Sequence, residues 1–475
     1  MSAFDRFIET PWAWIALALM VLVASFPGAA NIPVLDRDEA RFTQATSQML
    51  ETGDFVVISY QDDYRNKKPV GIHWLQSAAV AVTSDVAERN ITAYRLPSML
   101  AAMGATMGAF WCGLAFMSRR AAFLGAALFG STLLLTTEAH IAKTDAALVC
   151  SVVLGMGALA WLRAGSGKWM AVAFWAAMGA GVLIKGPVAI MVTGLAIAAL
   201  AIWERDFKWM KPLAYWGGPA LFALITVPWF VAIQIATGGE FLFEAAGVDL
   251  GQKIVSAAEG HAAPPGLHSL MLPLLFWPAT LFLFPGMWWA IKGAFAPPRL
   301  SSDAAAKAKR AAYDKAATGF RFLICWAVPT WLVFELAPTK LVHYTLPAYP
   351  AFALMAGAAL DDWFDTGRWR GGRTISIVFF AIAGFALAAL TSPWALELLR
   401  EDAAGNFTRP LSERVAAIWS REWLETGVSV WPMMLIAIAT GGAIYATMVR
   451  SPLGVIGAVL ACTLTLAFTL REAGS

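Results

Sequence analysis

The feature that most constrains this chain is a series of apolar runs, each close to the roughly 20 residues that an α-helix needs to cross a bilayer. Thirteen candidates can be marked, near 11–31, 92–117, 121–137, 146–163, 169–185, 187–203, 213–236, 267–291, 321–337, 341–360, 374–393, 429–449 and 452–470. In lipid, each segment must satisfy its backbone polar groups internally, and helices do so. The expected fold is therefore an all-α polytopic membrane protein of about 13 transmembrane helices, forming a single domain over residues 1–475. Composition agrees: 59% of the residues are hydrophobic and 14% are charged, where an ordinary soluble domain carries about 25% charged residues. A net charge of +3 is too small to imply a nucleic-acid partner. Cys112, Cys150, Cys325 and Cys462 fall inside apolar runs with no CxxC spacing, so they read as small core residues. The first run, about Pro11 to Pro33, is expected to stay as a signal anchor, and no soluble domain is expected beyond residue 470.

The positive-inside rule orients the spans. With the N-terminus cytoplasmic, the inside connections are 118–120, 163–168, 204–211, 292–321, 361–373 and Arg450, and every one contains Arg or Lys. The basic cytoplasmic loop 292–321 carries seven basic residues against two acidic ones, and its Ala/Lys composition suggests a short surface helix. The opposite, non-cytoplasmic face receives 32–91, 138–145, Gly186, 237–266, 338–341 and 394–428. The polar stretches with chemical character land there. No internal repeat is visible.

Residues 36–74 are the longest polar segment near the N-terminus, with Asp36, Asp38 and Glu39 at one end and Arg65, Lys67 and Lys68 at the other. Asp38 to Met49 reads as an amphipathic helix in the interface plane. Phe42, Ala45, Met49 and Leu50 share one face, Gln44, Gln48 and Glu51 lie away from it, and Gly53 ends it. Carboxylates and lysines brought together at a membrane surface suggest chemistry on a lipid-linked phosphate. Asp38 reads either as a helix cap or as a general base or electrostatic partner for a hydroxyl. Glu39 shares its position at the helix start, and Arg41 follows one turn on. Lys67-Lys68-Pro69 reads either as a snorkelling pair or as a phosphate clamp, just before an expected membrane-dipping helix over 70–82.

Further along, Glu138-Ala-His140-Ile-Ala-Lys143-Thr-Asp145 packs four ionisable residues into eight positions between apolar runs. Lys143 and Asp145 could form an ordinary pair, but charges at the hydrocarbon edge are costly and tend to be functional. Asp145 is thus expected to be a second catalytic carboxylate. Lys185-Gly186-Pro187 places a lone lysine at the same edge. The loop Gly238 to Pro265 holds Glu240, Glu244, Asp249, Lys253, Glu259 and His261. A Glu259/His261 pair lacks a third ligand at helical spacing, so a divalent metal is only weakly supported. No cofactor is firmly implied. Lys340-Leu-Val-His343-Tyr344 places a cation, a histidine and an interfacial aromatic where a span starts. No GxSxG, Walker loop, GxGxxG or HExxH is present.

Taken in order, these residues resemble a known family. Asp38-Glu39-Ala-Arg41 resembles the DExR start of the first periplasmic loop in integral-membrane glycosyltransferases of the GT-C class. The bacterial lipid A aminoarabinose transferases are the nearest members in pattern, the protein O-mannosyltransferases more distant. Lys68-Pro69 with Trp74 resembles EKP…YW, Tyr94 to Ser98 resembles RLPS, and Leu183 to Pro187 resembles the TKG turn. Asp145, Gly260 to Pro265 and Lys340 to Pro350 complete the order, from about residue 35 to 355.

The resemblance implies a GT-C fold with interfacial helices in the first periplasmic loop, a polyprenyl-phosphate-linked sugar as donor, and transfer outside the cytoplasm with inversion. It implies Asp38 and Asp145, with Glu39, near the reacting centre, and Lys68, Arg41, Lys185 and Lys253 around the donor phosphate. Arg95, Lys143, His261, Lys340, His343 and Tyr344 are the further residues expected at the substrates. The expected acceptor is lipid A, lipopolysaccharide or a related envelope glycan. Two departures stand out: Lys67 occupies the place of the glutamate in EKP, against a metal held there, and the C-terminal soluble domain of longer members is not seen. Competing readings are a protein O-glycosyltransferase of the same fold, and a lipid-linked sugar transporter or flippase. A transporter predicts charges at the midplane and paired repeats, whereas the charges here cluster at one edge.

Overall fold

The computed structural model describes residues 3–34, 36–65, 67–250, 263–295, 304–369, 371–391, 431–449 and 451–473. Among them the only sheet is a short antiparallel hairpin, Ser59–Tyr60 with Asp63–Tyr64, and the rest of the regular structure is helical. The chain opens with α1 (Ala3–Ile8), α2 (Trp12–Ser25), α3 (Arg37–Thr52), α4 (Gly71–Thr83) and α5 (Ile91–Leu114). It continues through α6 (Arg119–Gly130), α7 (Leu133–Ala139), α8 (Asp145–Arg163), α9 (Lys168–Lys185), α10 (Val188–Glu204) and α11 (Gly217–Ala236). Later helices are given by their residues.

Among the described residues, six helices are long and apolar enough to cross a membrane, or up to eight if each of two bent pairs is one span. This is the expected multi-pass all-α fold; α2 and α10 are apolar but shorter. Segment 267–291, read as one run, turns sharply: helices Leu267–Leu275 and Thr280–Phe295 meet at 119°. Pro278 lies in the break and has no N–H to continue a helical ladder. At the other end of the first of these helices, the Glu335 carboxylate supplies a partner for the start of Leu267–Leu275, accepting the N–H of Gly266 at 2.7 Å and of Ser269 at 2.9 Å. Residues 341–360 also begin differently from a plain span. A 3₁₀ turn, Val342–Ala348, precedes helix Tyr349–Thr366.

Burial sets the order of the layers. In α8, 83% of the apolar window is buried, against 17% in α11, so α8 is central and α11 faces outward. Lipid is as apolar as leucine, so close packing of small residues has to hold such a bundle together. Gly125 of α6 provides it: a Cβ there would lie 2.9 Å from Leu354 Cα in helix Tyr349–Thr366.

The first loop forms its amphipathic helix with Phe42, Ala45 and Met49 buried and Leu50 half-buried. Its cap is Asp36, not Asp38: the Asp36 carboxylate accepts the N–H groups of Asp38 at 2.7 Å and Glu39 at 3.4 Å. Asp38 therefore keeps its carboxylate for other work. Gly53 ends the helix at φ 70°, where a side chain would be strained. Against α3 lies α4, fixed by Thr46 Oγ1, which bonds His73 Nδ1 at 2.8 Å and donates to Gln76 Oε1 at 2.7 Å. Gly71 lets α4 touch α9, because a Cβ there would sit 2.7 Å from the Leu183 carbonyl oxygen.

Candidate active site

Five segments converge on one cavity of about 340 Å³. The first turn of α3 contributes Asp36, Arg37, Asp38 and Arg41, and the turn before α4 contributes Arg65, Lys67 and Lys68. The junction of α7 and α8 brings Lys143, Thr144 and Asp145; α9 ends there with Lys185; the loop 339–344 adds His343 and Tyr344. Helix ends explain the placement. Asp145 begins α8, where a carboxylate meets the positive end of the dipole, and Lys185 finishes α9, where an ammonium meets the negative end. The lining holds seven basic side chains and three aspartates, so the cavity favours an anion.

Within it the charges are ordered. Lys185 Nζ lies 2.5 Å from Asp145 Oδ1 and stands over the Tyr344 ring at 5.5 Å. Lys143 Nζ lies 3.3 Å from both Asp36 Oδ2 and Glu138 Oε1. Burial alone would lower the Lys143 ammonium, but Glu138, Asp145 and Asp36 outweigh it and hold it above the ordinary lysine range. Burial would likewise raise the Asp36 carboxyl; Lys143 and the capped amides reverse that and keep it below the usual 3.8. Burial pushes His343 down to about 3, only partly opposed by Asp145, so its imidazole is neutral. Asp38 is the outward member. Its side chain is 44% exposed, with Arg41 at 3.7 Å and Arg65 at 3.9 Å, and Arg65 also lies over the Phe42 ring at 5.1 Å.

Of the residues singled out in the sequence, Asp38, Arg41, Lys68, Lys143, Asp145, Lys185, His343 and Tyr344 meet in this cavity. Lys253 and His261 lie outside the described residues, as does loop 394–428. Three others are placed elsewhere. Glu39 is 1% exposed and grips Arg95 with both oxygens, at 2.8 and 2.9 Å, while also accepting the Ala142 N–H at 2.8 Å. Arg95 in turn donates to the carbonyls of Ala29 and Ile32, each at 2.8 Å. This pair thus ties the first loop, α5 and the 140–143 turn together behind the cavity. Lys340 is buried and donates to the carbonyls of Glu335, at 2.6 Å, and Ala337, closing the end of helix Ala304–Leu336. Sequence reasoning passed over Asp36, Arg65 and Glu138 as site residues. Each stood inside a charged stretch already noted, and Glu138, Asp145 and His343 bring one ligand atom each within 4.8 Å of the others.

The crystal structure of ArnT from Cupriavidus metallidurans bound to undecaprenyl phosphate superimposes with a TM-score of 0.71 at 20% identity, over 100% of this chain and 77% of that one. The chain has the GT-C fold. The arabinosyltransferase EmbB from Mycobacterium smegmatis shares it more distantly, with a TM-score of 0.52 at 12% identity over 99% of this chain and 41% of that one. A family model described as dolichyl-phosphate-mannose-protein mannosyltransferase matches residues 67–231. In sequence the chain resembles the aminoarabinose transferases. The undecaprenyl phosphate-alpha-4-amino-4-deoxy-L-arabinose arabinosyl transferase of Erwinia tasmaniensis is 27% identical over 371 residues, 76% of this chain and 62% of that protein. The chain spans a little under two thirds of the length of such relatives.

Proposed function

We propose that this GT-C protein is a glycosyltransferase that moves a sugar from a polyprenyl-phosphate-linked donor to lipid A, lipopolysaccharide or a related envelope acceptor. The reaction takes place at the periplasmic face of the bacterial inner membrane, with inversion. The observation that carries this reading is the cavity: seven basic side chains surround three aspartates at the ends of membrane-length helices. A phosphate anchored by an apolar chain is the anion such a place suits. The similarity to transferases named for an undecaprenyl-phosphate donor supports the same class of substrate. We read residues 1–475 as one functional unit of this fold.

In the step, an acceptor oxygen attacks the anomeric carbon, the bond from that carbon to the phosphate oxygen breaks, and the electron pair leaves with the prenyl phosphate. Lys68, Arg41 and Lys185, joined by Lys253, neutralise the leaving charge, which is the electrostatic contribution that dominates such transfers. Asp38, backed by Asp145, orients or deprotonates a hydroxyl acceptor. An acceptor that is itself a phosphate is already ionised, and the aspartates then position it and balance charge. Lys143, His343, Tyr344 and His261 contact the substrates. Glu39 and Arg95 act through the frame, and Lys340 through the turn that carries His343.

The test is mass spectrometry of lipid A and core oligosaccharide from cells with and without the gene. Loss of one defined sugar mass supports the reading and names donor and acceptor together. The match to a protein mannosyltransferase model favours a second acceptor class, protein hydroxyls, over the same chemistry. An unchanged lipopolysaccharide with altered glycoproteins or other envelope glycans would reassign the acceptor, and no change in any of them would overturn the transferase reading.

A further inference from the structure

Glu138 ends α7, Asp145 starts α8 and His343 sits in the turn before helix Tyr349–Thr366, and the three converge under the cavity. Two carboxylates and a neutral imidazole are the donor set that a divalent transition ion takes. Here a side chain of the protein already contacts two of the three. The ammonium of Lys143 is 3.3 Å from Glu138 Oε1, 3.5 Å from His343 Nδ1 and 3.3 Å from Asp36 Oδ2. Three acceptors match the three N–H bonds an ammonium has to give. Lys185 holds Asp145 from the other side at 2.5 Å. Glu138 is 3% exposed, and its second oxygen, Oε2, is buried without a hydrogen-bond partner. A buried carboxylate oxygen left unpaired is costly, and it marks a donor set with more capacity than one ammonium uses.

We propose that Lys143 is the resident cation of a Glu138–Asp145–His343 site, standing where a divalent ion would bind. The native protein then takes up no divalent ion there, and a protein lacking this ammonium does. The site's positive charge is covalently attached and present whatever the metal supply. Metal uptake at this site can be read without turnover.

The test uses purified full-length protein in detergent with Mn²⁺ as the probe, followed by paramagnetic resonance of the bound ion and by thermal unfolding. The native protein should show no bound Mn²⁺ and no shift in Tm. Lys143→Ala and the bulkier Lys143→Met should bind one ion, with a Tm that rises with the logarithm of Mn²⁺ concentration and falls back with chelator. Adding Glu138→Gln should abolish the uptake. Stoichiometric Mn²⁺ binding by the native protein, or none by either Lys143 variant, would overturn the proposal. Should both variants fail to fold without the ion, recovery of folded protein on adding Mn²⁺ supports it, and no recovery overturns it.

Discussion

The ammonium of Lys185 meets the carboxylate of Asp145 at 2.5 Å, with 10% and 5% of the two side chains exposed, and so joins the end of α9 to the start of α8. Breaking a buried pair by removing one partner leaves an uncompensated charge and costs about 3–5 kcal/mol. Lys185→Ala should fall at the low end of that range, because the Lys143 ammonium still acts on Asp145. The double variant Lys185→Ala/Asp145→Ala should recover part of the loss, although both forms are expected to be inactive. Denaturant or thermal unfolding in detergent checks the first point, and an additive loss in the double variant would show that the pair is not coupled.

Asp38 and Glu39 are adjacent, and their substitutions should fail in different ways. Asp38 is half-exposed and caps nothing, so Asp38→Asn should leave stability within about 0.5 kcal/mol. The same change should lower transfer by roughly 10²–10⁴-fold, the usual contribution of a positioned acid or base. Glu39→Ala strips Arg95 of its partner in a dry site, which costs about 3–5 kcal/mol, and low yield of folded protein should precede any kinetic effect. Full activity in Asp38→Asn would remove Asp38 from the reaction.

The Asp36 carboxyl is held below 3.8 in the folded protein by Lys143 and the backbone amides it caps, against the opposing effect of burial. A group depressed in the folded state contributes stability above its unfolded pKa and loses it as pH falls through the folded value. The contribution should therefore be complete above about pH 4–5 and fade in more acid solution. Asp36→Asn keeps a capping oxygen but loses the charge facing Lys143 and the helix dipole, so it should flatten the fall of Tm below pH 4 while costing about 1 kcal/mol at neutral pH. Parallel acid slopes for the two proteins would remove Asp36 from the acid response.

His343 predicts a negative result. Burial holds it near 3, so it stays neutral from pH 5 to 8 and cannot supply a titrating limb there. A rate profile over that range should lack an inflection that disappears in His343→Gln. Finding one would mean that the imidazole is charged when substrate is bound.

Much of this was legible in the sequence because charge at the edge of an apolar run is conspicuous. Lys143, Asp145 and Lys185 stood out for that reason, and all three line the cavity. What the sequence concealed was direction. One residue along a helix turns the side chain by about 100°, so packing alone decided that Asp38 faces the cavity and Glu39 the Arg95 clamp. Lys340 follows the end of a helix, and its ammonium closes that helix on the nearest open carbonyls. Hydropathy is likewise blind to a chain that reverses, which hid the 119° bend after Leu275.

Gly71 tests whether the first loop must lie tightly on the bundle for the site to form. It is the first residue of α4, and a Cβ there would meet the Leu183 carbonyl oxygen at 2.7 Å and the Ile184 nitrogen at 3.1 Å. Both are backbone atoms of α9, so neither can swing aside as a side chain could. Gly71→Ala should therefore push α4 outward at a cost of about 1–3 kcal/mol, the usual range for overpacking. Leu183 and Ile184 immediately precede Lys185, while Lys68 lies three residues before Gly71. A displacement at this contact spreads the two lysines apart across the cavity. The expected signature is a weaker grip on the proposed prenyl-phosphate donor, read as a raised donor KM, together with a lower kcat and a Tm depressed by a few degrees. A variant with native Tm and native donor KM would show that the contact gives way without moving either cation, and that α4 is not held in place by Gly71.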